Sequence, residues 1–278
     1  MTTPKAKFAG LALIAALCAG FILGLTVPAS AGYDAGEAAY KRGDYATALR
    51  ELRPLAERGN AGTQRVLGVM YGKGRGIPQD YAEALQWYSK AAEQGVPAGQ
   101  FGLGLMHYKG IGARQDYAEA AKWFRKAAEQ GHAEAQVNLG VMYENGQGVP
   151  QDYAKAVKWF RKAAEQGSSS AQYNLGVMYD KGKGVPQDDA EAVQWWRKAA
   201  EQGHADAQVT LGGMYGLGHG VPQDDVQAHM WYNLAASSYY PSEYRDEAVK
   251  NRDIVAMRMT PAQISEAQKL AREWKPKK

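Results

Sequence analysis

Cysteine is almost missing from this chain: Cys18 is the only one in 278 residues. That excludes an intrachain disulfide framework and any zinc site built on cysteines. The 32 glycines and 11 prolines follow no Gly-X-Y period, which excludes a collagen-like rod. No His-x-x-x-His pair occurs among the five histidines, and no Ser-x-x-Lys occurs anywhere. A large excess of charge is missing too. The net charge is +4, and without Lys5 and Lys7 the balance is 31 basic against 29 acidic residues. A charge that small leaves no nucleic-acid footprint. What remains is a globular composition, 45% hydrophobic and 22% charged, long enough for one or two domains with a real core.

The first 31 residues read as an export segment. Lys5 and Lys7 are the only charges before Asp34, Phe8 to Val27 is a 20-residue apolar run, and Pro28 precedes Ala29-Ser30-Ala31. A basic start, an apolar middle and a small-x-small end make a secretory signal peptide, with cleavage expected after Ala31. Left uncleaved, the same run is long enough to be a membrane anchor. A lipoprotein reading of Cys18 fails on Leu17, too bulky for the small residue that processing usually takes there. Cleavage would leave a cysteine-free mature chain, periplasmic or secreted, with no pairing problem in an oxidising compartment.

The rest of the chain repeats itself at an offset of 36 residues. Five blocks cover 61–96, 97–132, 133–168, 169–204 and 205–240, and twelve of the 36 positions are identical in all five. Leu67, Leu103, Leu139, Leu175 and Leu211 align, as do Trp87, Trp123, Trp159, Trp195 and Trp231. A period of this length means a solenoid or array.

Each block reads as two helices. In the third, Ala135, Leu139, Met142 and Tyr143 fall on one helical face. Gly140 beside them lets a neighbouring helix approach closely. Gly146 and Gly148 end the helix, and Pro150 prevents its continuation. Asp152 caps the second helix, whose stripe is Ala156, Trp159, Phe160, Ala163 and Ala164, and Gly167 closes it. Glu83, Glu119, Glu191 and Gln227 stand where they can complete capping boxes. One such hairpin cannot bury its own apolar faces, so stability comes from stacking. Trp159 is expected in the core between the helices.

The pattern Ala-x-Ala-Gln-x-x-Leu-Gly-x-Met-Tyr, Gly-x-Gly-Val-Pro-Gln-Asp-Tyr, Ala-x-x-Trp-Phe-x-Lys-Ala-Ala-Glu-Gln-Gly resembles the SEL-one-like repeat, a relative of the tetratricopeptide repeat. The resemblance spans roughly residues 33–240 and implies an all-α fold, a right-handed α-solenoid of antiparallel helix hairpins. It also implies a non-enzymatic adaptor that assembles complexes, often at or across a membrane. The ends depart from the pattern, as array caps do. Residues 32–60 look like a degenerate repeat with Glu51 in place of the Trp and Pro54 inside its second helix, where a kink is expected. Residues 241–278 form a helical cap and basic tail: one helix from about Glu243 to Met259, then a second begun by Thr260 as N-cap, Pro261 and Gln263.

Catalytic chemistry finds no residues to rest on. The runs Gly72-Lys73-Gly74-Arg75-Gly76 and Gly216-Leu217-Gly218-His219-Gly220 lack the Lys-Ser/Thr ending and the preceding strand of a phosphate loop, and they recur in every block as turns. His132 and His204 sit just after a helix C-terminus, where a dipole interaction is expected, and His107 replaces a repeat Tyr. Cysteine-rich members of the superfamily have been linked with β-lactam binding or hydrolysis, but their paired cysteines are absent here. Six of the tryptophans read as core rather than as a sugar-stacking surface; Trp196, which doubles the tryptophan in the fourth block, is the exception, although that position is aromatic in every block. No cofactor and no metal are expected.

Binding is expected on a second stripe of the first helices, which the resemblance places on the concave face. It contains Glu134, Asn138, Val141 and Asn145 in the third block and varies between blocks, with Asn174 and Lys181 in the fourth and Thr210 in the fifth. Asn138 and Asn174 would set two amides along one groove, able to bond an extended peptide. The function expected is a protein- or peptide-binding scaffold of the bacterial cell envelope. An envelope enzyme acting on β-lactams or glycans, or a structural spacer in a secretion or polysaccharide complex, are the competing readings.

Overall fold

The computed structural model describes residues 29–237 and 243–277. Among them are fourteen helices and no strand. They run α1 (Ala29–Arg42), α2 (Tyr45–Glu57), α3 (Ala61–Lys73), α4 (Tyr81–Glu93), α5 (Pro97–Lys109), α6 (Tyr117–Glu129), α7 (Ala133–Asn145), α8 (Tyr153–Glu165), α9 (Ser169–Asp180), α10 (Asp189–Glu201), α11 (Ala205–Leu217), α12 (Asp225–Ser237), α13 (Glu243–Ala256) and α14 (Pro261–Glu273). The first helices of the five repeats begin at the block boundaries read from the sequence, and each pair packs on the next, an all-α solenoid. Most of the export segment lies outside the described residues; Ala29 to Ala31 open α1. No described helix is long and apolar enough to cross a membrane.

Local signals act as the sequence suggests. Asp80, Asp116, Asp152 and Asp188 cap α4, α6, α8 and α10 by accepting from backbone N–H groups of the first turn. Gly146, with φ of 69°, ends α7 in the left-handed conformation that glycine adopts without strain. The next glycine of the turn has a second duty. A Cβ on Gly148 would lie 2.2 Å from backbone atoms of Tyr117, so the turn sits directly on the start of the preceding repeat's second helix. This is the packing role of the Gly-rich runs. Pro54 falls in the last turn of α2, which runs unbroken to Glu57.

Two expectations fail for the same kind of reason. The capping boxes do not form at Glu83, Glu119 and Glu191. The N–H groups of Asp80, Asp116 and Asp188 already donate to carbonyls of Tyr71, His107 and Tyr179 on the first helix of the same repeat, at 2.9–3.1 Å. The glutamates instead accept from the indole N–H of Trp87, Trp123 and Trp195 one turn on, at 3.1, 2.8 and 3.0 Å. Among the described residues the one complete capping box is at Thr260–Gln263, opening α14. Trp159 is also not the buried aromatic of its helix. Phe160 is fully buried, and Trp159 is half-buried with Lys162 over its ring at 4.8 Å. Adjacent residues point about 100° apart on a helix, and it is Phe160 that lies against Gly140, where a Cβ would be 2.6 Å from its ring. Trp196 is likewise core, donating its indole N–H to the carbonyl of Tyr173 at 3.1 Å.

Two polar contacts recur between repeats. Arg125, Arg161 and Arg197 donate to the hydroxyls of Tyr143, Tyr179 and Tyr215 on the next first helix, at 2.9, 2.7 and 2.7 Å. Ser89 and His107 stand in place of that pair between the first and second repeats, and His107 Nδ1 is buried with no partner. The other contact is a buried glutamine at the fourth position of each block. Gln136 donates to the carbonyl of Ala128 on α6 at 3.0 Å and accepts from Gln166 at the end of α8 at 2.7 Å.

Truncating the buried aromatic tests this core. Phe160→Ala should lower stability by about 3–5 kcal/mol, the usual cost of removing a core aromatic. Trp159→Ala should cost clearly less, in chemical denaturation of the two variants side by side.

Candidate functional site

The first helices leave a row of side chains half-exposed. In α7, Ala135, Gln136, Leu139, Gly140, Met142 and Tyr143 face inward. Among the remaining positions, the second, fifth, ninth and last lie toward the outside, and so does the sixth in the third to fifth repeats, while Val66 and Gly102 are buried there in the first two; every residue expected in binding falls among these or just beyond. Glu134 is exposed on the first turn of α7, and Asn138 is half-buried one turn on. The Asn138 amide donates to the carbonyl of Glu134 at 2.8 Å, so one of its two donors is folded back on its own helix. Asn145 is exposed at the far end of α7, and Lys181 is exposed as the C-cap of α9. Asn174 and Thr210 are half-buried on α9 and α11. These residues form a row across successive first helices. Beyond Glu134 and Asn138, no hydrogen bond or ion pair joins any two of them among the described residues.

The fifth position of each first helix, not singled out in the sequence, carries the apolar part of this row. Phe101, Val137, Tyr173 and Val209 are all half-buried there. The available signal was the variation of this position, Arg65, Phe101, Val137, Tyr173 and Val209, beside an unvarying Leu two residues on. Phe101 stacks on the His132 ring at 4.7 Å, and Tyr173 stacks on the His204 ring at 5.0 Å. The row ends in a cleft of about 380 Å³ lined by Ser170, Gln202, His204, Asp206, Val209 and Arg245, where α9, α11 and α13 meet.

The two stacked histidines are not placed to answer a helix C-terminus. They are the N-caps of α7 and α11, each Nδ1 accepting from a backbone N–H, of Ala135 and Ala207, at 3.3 Å. Ser168 does the same for α9 through its hydroxyl. A ring that accepts at Nδ1 is unprotonated there, so the 3.3 Å approach of the Glu134 carboxylate is not an ion pair in this state. Burial pushes both histidines below the ordinary imidazole value, against the opposing pull of Glu134 and Asp206. His229 is also held low, by burial first and then by Arg252. Among the described residues no three His, Cys, Asp or Glu side chains converge as a metal site.

These shifts predict a pH dependence. A histidine whose folded value lies below its unfolded one stabilises the fold fully above the ordinary value of about 6.5. That stabilisation is lost as pH falls through the lowered folded value. Thermal midpoints should therefore drop as pH goes from neutral toward 5. Replacing His132 and His204 together by Ser, the residue that already caps α9, should flatten the slope and leave the part due to His229. An unchanged slope in the double variant would show that the caps do not set it.

Comparison with known proteins agrees with this architecture. The Sel1 repeat matches the chain five times, at residues 63–96, 97–132, 133–168, 169–204 and 205–240. Among solved structures, a Sel1 repeat protein from Oxalobacter formigenes is 34% identical, with 89% of this chain and 98% of that one covered and a TM-score of 0.75. The protein c5321, a protective antigen present in uropathogenic Escherichia coli strains and displaying an SLR fold, is 31% identical. There 88% of this chain and 68% of that one are covered, with a TM-score of 0.42. No curated protein matches.

Proposed function

The chain belongs to the Sel1 repeat family, whose members are generally protein-interaction scaffolds and typically not enzymes, and we propose that it is a non-enzymatic scaffold that binds a protein partner along the first-helix row. The observation that carries this reading is the half-exposed apolar series Phe101, Val137, Tyr173 and Val209, one residue per repeat on four successive repeats. An array that repeats at fixed spacing presents such side chains as one extended surface, the usual binding feature of a solenoid. Glu134, Asn138, Asn174 and Thr210 border the series and supply its polar contacts, while Asn145 and Lys181 flank its far edge.

We place the scaffold in the cell envelope of a bacterium, a proposal supported by Lys5, Lys7, the apolar run to Val27 and the small residues at 29–31. N-terminal sequencing of the exported protein should begin at Gly32. Recovery of the intact N-terminus on membranes would instead make the segment an anchor.

The binding surface is tested with a partner captured from envelope extracts by the mature chain. Asn174→Ala should weaken that complex by about 1 kcal/mol, the value of a lost amide hydrogen bond. Asn138→Ala should change it less, because that amide is already engaged within α7. Both should leave stability within about 0.5 kcal/mol of the parent. Lys183 is unsuitable as a control outside the row, since it approaches Glu144 of the preceding repeat at 3.7 Å and lies over the Tyr153 ring. Arg114, exposed in a turn, is the better control, and Arg114→Ala should leave binding alone. Titration calorimetry in which only the turn variant weakens binding would move the interface to the turn edge.

A further inference from the structure

In three of the first four repeats the second-helix indole finds its acceptor within the same helix. Trp87, Trp123 and Trp195 donate to Glu83, Glu119 and Glu191, each four residues earlier, at 3.1, 2.8 and 3.0 Å. In the third repeat Lys155 stands at the glutamate's place. Its ammonium is held by the Asp152 carboxylate at 2.8 Å, and among the described residues no acceptor takes the Trp159 N–H. The charge of the helix changes at the same point. The helix α8 carries Lys155, Lys158, Arg161 and Lys162 against Glu165 alone, a formal +3, whereas α4 and α10 are each −1 and α6 is +1. Lys155, Lys158 and Lys162 are exposed and share one helical face with the half-buried Trp159. Lys162 lies over the indole ring at 4.8 Å, and among the described residues neither it nor Lys158 has a carboxylate partner.

We propose that this face of α8 is a docking site for an acidic segment of the partner protein, in which a glutamate or aspartate carboxylate accepts from the Trp159 indole N–H. The proposal takes from the scaffold reading only that the partner is a protein. The chain itself supplies the pattern, since a carboxylate is the group on the equivalent N–H in three other repeats. The indole is held in place for an incoming one, because its ring packs against the central core cluster. The lysines select the charge. Lys158 and Lys162 flank Trp159 along the helix, so a carboxylate approaching the indole meets unpaired positive charge. A neutral amide accepts the N–H but leaves both ammoniums unanswered, and its hydrogen bond is roughly half as strong as that of a charged acceptor. Anionic lipid answers the lysines as well, and the test separates it. The face belongs to the second-helix layer and shares no residue with the first-helix row.

The probe is hexaglutamate, acetylated and amidated at its ends, with hexaglutamine as its uncharged counterpart. Nitrogen-15 NMR of the protein follows the tryptophan indole signals. Hexaglutamate should shift the Trp159 signal saturably and leave those of Trp87, Trp123 and Trp195, whose donors are engaged, nearly unmoved. Salt at about 0.5 M should weaken the response, because the charges are exposed to screening. Hexaglutamine should bind roughly tenfold more weakly, the difference between a charged and a neutral acceptor. Lys155→Glu, which restores the residue of the other three repeats, should abolish the response, since its carboxylate takes the N–H in cis. If that variant does not fold, Lys158→Gln together with Lys162→Gln should weaken binding about fivefold, the loss of two exposed ion pairs. No saturable shift of Trp159, equal binding of hexaglutamine, or an unchanged response in folded Lys155→Glu would overturn the proposal. Vesicles of phosphatidylglycerol that shift Trp159 where hexaglutamate does not would overturn it too, and would make the face a membrane contact. A protein that captures a partner but ignores hexaglutamate loses only this site, and one that binds hexaglutamate but captures no protein loses the scaffold reading.

Discussion

Gln64, Gln100, Gln136, Gln172 and Gln208 are the polar groups around which the array is assembled. Each is at least nine-tenths buried, and each donates across the repeat boundary to a carbonyl in the last turn of the preceding second helix. In the first four repeats the same side chain accepts from the glutamine that ends its own second helix, so three helices meet at one amide. A carboxamide carries a donor and an acceptor on one side chain, and this position uses both. The carbonyls it meets lie at helix C-termini and already accept from the N–H of the closing glycine, Gly59, Gly95, Gly131, Gly167 or Gly203, so the glutamine is a second donor from the next repeat. A contact that joins the end of one repeat to the first helix of the next makes the stacking specific in register. Apolar packing of alanines and leucines alone would not.

With the interior occupied in this way, few positions remain free to vary. The glycine under Phe160 must stay a glycine because a Cβ would be 2.6 Å from the ring, and the second glycine of each turn meets backbone of the repeat before it. The cap aspartates, the tryptophan and its glutamate are joined to one another or to the helix start. What is left is chiefly the outward face of the first helices, where residues differ from repeat to repeat even though some, such as Phe101 on the His132 ring, also touch the next repeat. The recognition surface proposed above is that remainder, and the histidine caps beneath Phe101 and Tyr173 tie its rigidity to pH.

The sequence showed the helix pairs, their boundaries and their caps because those depend on short-range signals: a 36-residue period, Asp before a helix, Gly after it. It misled wherever a tertiary partner decided the outcome. Glu119 could have closed a capping box, but the N–H of Asp116 was already taken by His107 on α5. Trp159 and Phe160 are both apolar neighbours on one helix, and only the position of Gly140 tells which one is enclosed. His132 follows one helix and precedes another, and the acceptor at Nδ1 assigns it to the second. The glutamines were visible as identical in all five blocks, yet their partners lie 8 and 30 residues away, beyond any local pattern. The polar members of the proposed surface were chosen from the sequence by their variation, while its apolar members at the fifth position were passed over.

The account stands on the claim that the buried glutamine couples one repeat to the next. Gln136→Leu keeps the volume and removes both hydrogen bonds in the middle of the array. Denaturant unfolding followed by hydrogen exchange should then show a loss of about 1–3 kcal/mol, the value of two hydrogen bonds, with the Ala128 carbonyl keeping the Gly131 N–H and the Gln166 amide keeping the Lys162 carbonyl. It should also show the single transition dividing, with α1–α6 and α7–α14 opening separately, as nearest-neighbour coupling requires. One cooperative transition within about 0.5 kcal/mol of the parent would show that apolar packing alone holds the repeats together.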